Sequence, residues 1–293
     1  MNEIDTHDLL DIKLFNIIEN EILTDIEKEK QLLELAYLNN VDINKIYQRY
    51  FWLKQMDINP NVIHLRENHK IIYEIFGEYT KMLNDQKIEY YYTSGILSYL
   101  LVDKPLERYH HDLDIFINMN DLNKLESVCK NYNFSFHRKL GDRGDGTKRI
   151  MLKMYYKDIF NIPITVFMYV KEDDLSVIQK DYFTNENGNE FVEYMYNSPD
   201  IARLSFSDVP HYYNNIKYYA ISLEALYLCK DGNRPKDIYD CSFFANYIDR
   251  DKLKSLEEAF KINKPNMTVS AKEDGFYNFI FLKSEKSKVL CKK

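Results

Sequence analysis

The segment Asp112-Leu113-Asp114-Ile115-Phe116-Ile117 constrains the fold of this chain more than any other. Its alternation of polar and apolar residues is typical of a β-strand with one buried face. Because successive side chains on a strand point to opposite faces, Asp112 and Asp114 share one face and the aliphatic residues share the other. Two like charges side by side at the end of an apolar strand repel each other. A divalent cation relieves that repulsion, and ligands that are all oxygen suit Mg²⁺ or Mn²⁺.

A turn of small residues lies upstream of this strand. Residues 88–93 are strand-like, and the run ends at Ser94-Gly95, directly before the apolar helical residues 96–102. Small residues at such a turn let backbone and hydroxyl groups approach a phosphate. A phosphate site next to a metal site indicates a nucleotide ligand. Because a helix separates the two strands, the sequence also favours parallel pairing between them.

The bulk composition is that of a globular chain with an acidic balance. With 293 residues, of which 45% are hydrophobic, it can bury a sizeable core in roughly two or three compact units. Its 39 Lys and Arg against 46 Asp and Glu give a formal net charge of −7, which argues against tight, nonspecific binding of nucleic acid. The four cysteines include no Cys-x-x-Cys pair, so a zinc site is not indicated.

The sequence favours the cytoplasm as the location of the protein. Its N-terminus, Met1-Asn2-Glu3-Ile4-Asp5, is acidic and lacks the apolar region of a secretory signal. No apolar run approaches the length that spans a membrane. We therefore expect a cytoplasmic protein with free thiols and without a membrane partner.

Periodicity divides the chain into three regions. Residues 1–64 show the helical spacing of apolar residues and are expected to form an N-terminal helical region. Residues 65–205 begin with an amphipathic helix and continue with strand-like runs, which predicts a core with a mixed sheet. Residues 206–293 return to helical spacing. The expected fold class is α/β of the α+β type, a small mixed-sheet core flanked by N-terminal and C-terminal helical regions.

A short segment of basic and acidic residues occurs in the C-terminal region, at Lys230 and at Arg234-Pro235-Lys236-Asp237. Pro235 can open a helix at its first turn, which places Asp237 near the positive end of the helix dipole. Lys230 and Arg234 precede this helix, where they can reach a phosphate. The alternative is a surface salt-bridge cluster that links the end of a helix to the core.

A basic stretch flanks the glycine-containing loop 140–147 and is a local reversal of charge on an acidic chain. It can grip a triphosphate or an RNA acceptor, or it can be the solvated face of an ordinary hairpin. The loop lacks the Gly-Lys-Ser/Thr ending of a P-loop, which excludes that kind of phosphate site. The basic stretch consists of His137, Arg138, Lys139, Arg143, Lys148, Arg149, Lys153 and Lys157.

The arrangement of Ser94-Gly95, a short helix and then Arg108-x-His110-x-Asp112-x-Asp114 resembles the polymerase-β-like nucleotidyltransferase superfamily. Two branches are most similar. The lincosamide and aminoglycoside nucleotidyltransferases often carry Arg-x-His-x-Asp-Ile-Asp, and the abortive-infection toxins have a late segment like the one that begins at Lys230. The resemblance covers residues 86–245 and leaves the N-terminal helices out.

The resemblance implies an enzyme that moves a nucleoside monophosphate from a nucleoside triphosphate, such as ATP, to a hydroxyl group of an acceptor. Asp112 and Asp114 are then the catalytic residues and the ligands of Mg²⁺ or Mn²⁺. The nucleotide-binding residues that it implies are Ser94, Gly95, Arg108, Lys230 and Asp237. Lys230 contacts the phosphates, and Asp237 pairs with a basic residue or orders the site. The acceptor stays open among a small molecule, an RNA end and a protein, and so does the oligomeric state.

One departure from the family pattern concerns a third carboxylate, which members of this superfamily usually carry on a neighbouring strand. In the best-placed strand, residues 162–168, Thr165 occupies the expected position. Asp158, Glu190 and Glu193 are candidates to replace the missing carboxylate. The departure supports a second hypothesis, a non-catalytic nucleotide-binding or regulatory module on the same fold. A third hypothesis is a toxin of a toxin–antitoxin or phage-defence pair.

Overall fold

The structure is a computed structural model of the chain. It describes residues 10, 13–14, 17, 23–47, 49, 65–106, 110, 112–143, 145–157, 162–230, 235–261, 267–274 and 276. The chain divides into two compact units. The first unit takes its residues from 1–71, 106–111 and 230–246, and the second from 72–105, 112–229 and 247–293.

The helices and strands follow one another as a mixed α and β chain. The helices are α1 (Asp25–Leu38), α2 (Leu65–Asp85), α3 (Leu97–Leu100), α4 (Leu122–Val128), α5 (Pro199–Ser205), α6 (Leu223–Cys229), α7 (Pro235–Phe244) and α8 (Arg250–Lys261). The strands are β1 (Tyr90–Thr93), β2 (Leu113–Asn118), β3 (Phe134–Asp142), β4 (Lys148–Tyr156), β5 (Ile164–Lys171), β6 (Val177–Thr184), β7 (Glu190–Asn197), β8 (His211–Tyr213), β9 (Ile216–Tyr218) and β10 (Met267–Ser270).

The first unit is helical in its described elements. Helix α1 begins after a capping box, in which the Thr24 hydroxyl accepts a hydrogen bond from the backbone N–H of Glu27 and the Glu27 carboxylate accepts one from the backbone N–H of Thr24. Helix α7 begins at Pro235, which tolerates the first helical position because no intrahelical bond needs its missing N–H. The apolar face of α1 belongs to a buried cluster made of Leu14, Ile17, Leu32, Leu35, Ala36 and Ile46.

The second unit is built on an eight-stranded sheet. Its strand order is β1-β2-β5-β4-β6-β7-β10, and β3 adds to it by pairing with β4. Strands β2 and β5 run parallel. The other described pairs of this sheet are antiparallel. The predicted α+β class with a mixed sheet is therefore confirmed.

Helix α2 covers one face of this sheet. The Phe76 ring lies 5.0 Å from the Tyr92 ring, and the Thr80 and Tyr92 hydroxyls are 2.9 Å apart. On the same face the Tyr79 hydroxyl donates to Met154 Sδ at 3.2 Å. Because side chains alternate along a strand, the residues that adjoin Tyr92 and Met154 point to the opposite face. That opposite face carries the polar residues of interest.

The expected parallel pairing of β1 and β2 is wrong, because the two strands are antiparallel, with Thr93 opposite Asp114. Helix α3, which lies between them, has four residues. A parallel pair needs a crossover that returns along the full length of the strand, usually through a longer helix. An antiparallel pair needs the chain only to reverse direction, which this short helix and its turns accomplish.

The C-terminal region contains strands as well as the predicted helices. Strands β8 and β9 form a hairpin, and β10 pairs with β7 at the edge of the large sheet. The buried Asp274 carboxylate then accepts hydrogen bonds from Lys180 and Tyr194, at 2.8 and 2.9 Å. The domain boundaries after residues 64 and 205 stay a prediction. In the described part of the chain, no helix combines the length and the apolarity that crossing a membrane requires.

Candidate active site

A row of polar side chains crosses the sheet on the face opposite α2. Thr93 of β1 lies opposite Asp114 of β2, and Asp114 lies beside Thr165 of β5. Thr165 in turn lies opposite Lys153 of β4. Residues in register on adjacent strands point to the same face, so these side chains form a continuous line. Asp112 lies directly before the first residue of β2, on the same strand face as Asp114.

Asp114 is the centre of this row. Its carboxylate accepts hydrogen bonds from the hydroxyl groups of Ser94 and Thr165. Burial and the negative charge of Asp112 raise the pKa of Asp114 from 3.8 to about 7, whereas the two hydrogen bonds and the Lys153 ammonium act in the opposite direction. The raised pKa means that the surrounding protein does not fully compensate the charge of the carboxylate pair.

The turn after β1 directs a hydroxyl group to this pair. Ser94 has a backbone φ of 67°, in the left-handed region that favours glycine. The Ser94 carbonyl accepts a hydrogen bond from the Leu97 N–H at 3.1 Å, and the Ser98 hydroxyl donates to the Gly95 carbonyl at 2.7 Å. The structure thus brings Ser94, which the sequence singled out, together with Asp112 and Asp114.

The position of the missing third carboxylate is held by Thr165, beside Asp114 on the neighbouring strand. The Lys153 ammonium donates to the Thr165 hydroxyl at 2.6 Å. Glu190 and Glu193 lie on β7, which pairs with β6 and β10. Asp158 lies outside the described residues. Among the residues that the structure describes, no group of three or more His, Cys, Asp or Glu side chains is placed to hold a metal ion.

The donor set of the row nevertheless fits Mg²⁺ or Mn²⁺. Asp112 and Asp114 offer carboxylate oxygens, and the raised pKa of Asp114 reflects a site that favours added positive charge. Mg²⁺ is commonly bound through one or two carboxylates, while waters and substrate phosphates complete its octahedron. A third carboxylate is therefore not a requirement for binding the cation.

The late segment forms a buried ion cluster inside the first unit. Lys230 Nζ lies 2.7 Å from Asp240 Oδ2 and 3.5 Å from Asp237 Oδ1. All three side chains are at least nine-tenths buried. Asp237 thus pairs with a basic residue, which is one of the two roles that the resemblance implies. Arg108 and Arg234 lie outside the described residues.

The arginines of the basic stretch all pair with carboxylates. Arg149 binds Asp181, and Arg138, nearly buried, binds Glu126 at 3.1 Å. On the hairpin, Arg143 lies 3.2 Å from Glu193. These acidic partners compensate much of the local positive charge. RNA binding through a basic patch stays a prediction.

The contact between Lys153 and Thr165 is the feature of the site that sequence reasoning missed. The sequence assigns Lys153 to a basic stretch, and the register of β4 against β5 decides what the side chain meets. A signal was present, since Lys153 is the one charged residue in the apolar run from Ile150 to Tyr156. Such a charge indicates a strand face that is polar at that position.

A cavity of about 950 Å³ opens on the same face of the sheet. Thr93, Ser94 and Phe116 line the end that adjoins the row of polar residues. Residues of α6 and α8 line other parts of it, among them Leu228 and Phe260. Sequence reasoning did not find this cavity, because its wall combines strands and helices that are distant along the chain.

The solved structures that resemble the chain are nucleotidyltransferases. A lincosamide antibiotic adenylyltransferase, LnuA with lincomycin bound, is 19% identical with a TM-score of 0.39, and the match covers 64% of this chain and 96% of that chain. Two structures of the antibiotic-resistance factor ANT(2'')-Ia, one in complex with adenylyl-2''-tobramycin, are each 11% identical with TM-scores of 0.44 and 0.42, covering 66% of this chain and 92% and 95% of theirs.

These structures are of the lincosamide and aminoglycoside kinds that the sequence resembles, so the predicted resemblance is confirmed. At such TM-scores the likeness carries no argument about activity, which rests on the side chains of the site. No protein-family model matches the chain, and neither does a curated protein sequence.

Proposed function

We propose that this chain is a nucleotidyltransferase that uses Mg²⁺ or Mn²⁺ to move a nucleoside monophosphate from a nucleoside triphosphate, such as ATP, to a hydroxyl group. The observation that supports this most directly is the carboxylate pair, Asp112 and Asp114, whose charge the protein leaves partly uncompensated beside Ser94. Ionisable groups with strongly shifted pKa values cluster at functional sites. Such a group lowers the stability of the protein, and it is kept there because it acts on a ligand.

Each residue at the site has a role in this proposal. Asp112 and Asp114 would hold the cation, which would supply positive charge to stabilise the negative charge of in-line transfer. Ser94 and Gly95 bind a phosphate, and the hydrogen bond from Ser94 to Asp114 keeps the turn next to the carboxylates. Lys153 places positive charge near Asp114 through Thr165, which favours the ionised carboxylate that a cation needs.

The transfer exchanges one bond at phosphorus for another. The oxygen of the acceptor hydroxyl bonds to the α-phosphorus, and the bond from that phosphorus to the bridging oxygen of the β-phosphate breaks. Pyrophosphate leaves with the electron pair of the broken bond, and the hydroxyl proton passes to water. Alignment of the two oxygens is the main contribution of a site of this kind.

The nucleotide-binding roles of Arg108, Lys230 and Asp237 belong to the same proposal and rest on the resemblance. For Lys230, a phosphate would compete with the carboxylates of Asp237 and Asp240, which its ammonium already contacts. A cytoplasmic location stays a prediction from the sequence.

The proposal is tested by removing the charge of the pair without changing its shape. We expect Asp112→Asn and Asp114→Asn each to lose Mg²⁺-dependent binding of a non-hydrolysable ATP analogue in calorimetry, and the double variant to release no pyrophosphate from ATP. Asp200→Asn, at an exposed position of α5, is the matched control and should behave as the unaltered protein. Mg²⁺-dependent transfer by the double variant would contradict the proposal.

A second candidate function is a non-catalytic nucleotide-binding module on the same fold. The observation that favours it is Thr165, bound by Lys153, at the position where a third carboxylate would lie. This hypothesis predicts that the unaltered protein binds the ATP analogue in calorimetry but releases no pyrophosphate from ATP with any pool of acceptors. Turnover that depends on Asp114 would exclude it.

A further inference from the structure

The cavity beside the candidate active site has the size of a small-molecule site. Its volume of about 950 Å³ lies at the upper end of the roughly 300–1,000 Å³ that is usual for pockets that bind small ligands. It is continuous with the site, because Ser94 both lines the cavity and bonds to Asp114. Phe116, two residues after Asp114 on β2, also lines it from the same strand face.

The wall of the cavity is mostly apolar and aromatic. Phe116 lies 5.5 Å from Phe167 and 5.8 Å from Phe206, measured between ring centroids. Leu228 and Phe260 add apolar surface from the helices. Contiguous aromatic rings favour a ligand with a flat or otherwise apolar body.

The charges of the cavity wall balance. Its charged residues are Arg149 and Lys261 on the positive side and Asp181 and Glu257 on the negative side. Arg149 is bound to Asp181, and its guanidinium lies over the Phe167 ring at 5.0 Å. A nucleic-acid backbone needs a net positive surface, and a polycation needs a net negative one. The balance therefore favours an uncharged ligand.

One buried hydroxyl of the cavity wall lacks a partner. Ser205, at the end of α5, is 4% exposed and lines the cavity, and within the described structure its hydroxyl makes no hydrogen bond. Buried hydroxyl groups are nearly always hydrogen-bonded, because an unmet one carries a desolvation cost. A polar group on a bound molecule would satisfy it.

We propose that this cavity is the acceptor site and takes a small, uncharged molecule with an apolar or aromatic body and at least one hydroxyl group. A polar group of that molecule bonds to Ser205, its apolar body packs against Phe116 and Phe206, and its hydroxyl at the Ser94 end meets the nucleotide. That the ligand is an acceptor rests on the proposed function. That the cavity binds a molecule of this class does not.

The test measures binding without nucleotide. Saturation-transfer NMR and calorimetry compare a set of neutral aryl glycosides, beginning with phenyl β-D-glucopyranoside, with a cationic chitosan disaccharide and a short RNA that has a free 3′ hydroxyl. We expect the neutral probes to bind with a Kd of about 1 mM or tighter, and the cation and the RNA not to compete with them. Failure of the whole neutral set, or displacement of it by the cation or the RNA, overturns the proposal.

Two variants connect that binding to the cavity. Ser205→Ala should weaken the neutral probes about threefold to tenfold, while the melting temperature of the protein stays the same or rises, because a buried hydroxyl without a partner is removed. Ser176→Ala, at a buried serine outside the cavity, should leave the affinity unchanged. Phe260→Asp should abolish binding of the neutral probes, whereas Tyr212→Asp, at another exposed aromatic residue, should not.

The outcomes separate this proposal from the proposed function. If the Ser205 and Phe260 variants weaken binding of the Mg²⁺-bound ATP analogue and leave the probes unaffected, the cavity holds nucleotide and the acceptor proposal is wrong. If the unaltered protein binds the neutral probes but not the ATP analogue, the cavity assignment survives and the nucleotidyltransferase proposal fails.

Discussion

Carboxylates cluster in both units of this chain, buried in the first and half-buried in the second, and the two clusters handle their charge in opposite ways. In the first unit, Asp237 and Asp240 are one helical turn apart on α7 and share the buried ammonium of Lys230. In the second, Asp112 and Asp114 are two residues apart at the start of β2. Among the described residues, the ammonium of Lys153 acts on Asp114 and donates a hydrogen bond to the neighbouring Thr165 hydroxyl, and the pKa of Asp114 is raised.

The difference is the one that we expect between a structural cluster and the binding site that we propose. An ion cluster that is complete within the protein adds to the specificity of the fold and needs no ligand. A carboxylate pair whose charge is left partly uncompensated lowers the stability of the protein until a cation binds. Two carboxylate pairs that look alike in the sequence therefore differ in the cation that the fold places beside them.

The largest expected effect comes from removing the cation of the complete cluster. Lys230→Met leaves Asp237 and Asp240 buried without their shared partner, so it should lower the free energy of unfolding by about 3–5 kcal/mol. Urea denaturation measures this. The matched control is Lys157→Met, because the side chains of Lys157 and Glu74 are 52% and 46% exposed where they pair at 3.0 Å. That change should have a much smaller effect, because a surface ion pair contributes little to stability.

Equal stability of these two lysine variants would contradict the view that the cluster of the first unit stabilises the fold through Lys230. If Lys230→Met also removed binding of the ATP analogue while it left the fold as stable as before, Lys230 would be a phosphate ligand. The cluster of the first unit would then belong to the nucleotide site.

The second effect has the opposite sign. Because the pKa of Asp114 is raised from 3.8 to about 7, folding keeps a proton on this group that the unfolded chain releases between those values. The stability that Asp114 contributes is thus present at low pH and is lost as pH rises to about 7. At pH above 7, Asp114→Asn should raise the free energy of unfolding by roughly 4 kcal/mol in the absence of metal, and by little near pH 4. A loss of stability at both pH values would show that Asp114 is structurally compensated.

The third effect couples the metal to the proton. A cation and a proton compete for Asp114, so Mg²⁺ binding should release protons and strengthen as pH rises from 6 to 8. Thermal unfolding with and without Mg²⁺ at several pH values measures the shift in melting temperature. We expect a larger upward shift at pH 8 than at pH 6, and none in Asp114→Asn. A shift that is the same at both pH values would place the cation elsewhere.

The sequence was sufficient for the local features of the site. The alternation from Asp112 to Ile117 predicted both the strand and the shared face of the carboxylates, because the period of a strand is a local property. The turn at Ser94-Gly95 followed from its small residues. The absence of a carboxylate at Thr165 was visible because the strand-like run 162–168 contains no Asp or Glu.

The remaining features depend on strand order and register, which are set by long-range packing. The antiparallel pairing of β1 and β2, the contact of Lys153 with Thr165 and the lining of the cavity each join segments that no local pattern connects. The sequence left two alternatives for Lys230. Its contacts form a salt-bridge cluster that is buried and not at the surface, because Asp240, three residues after Asp237, shares the same helix face.

The smallest expected effect concerns the turn after β1 in the second unit. There a residue with a strained backbone lies beside the carboxylates, which is a further difference between the two clusters. Ser94 adopts a φ of 67°, which glycine adopts without the steric cost of a Cβ. Ser94→Gly and Ser94→Ala both remove the hydroxyl that bonds to Asp114, but only the glycine variant relieves the backbone. The glycine variant should therefore be more stable than the alanine variant by about 0.5–1 kcal/mol in urea denaturation.

Both variants should bind the Mg²⁺-bound ATP analogue more weakly than the unaltered protein. Equal stability of the two variants would mean that the turn relaxes out of the left-handed conformation once the bond to Asp114 is gone, and that the carboxylate itself holds Ser94 in place.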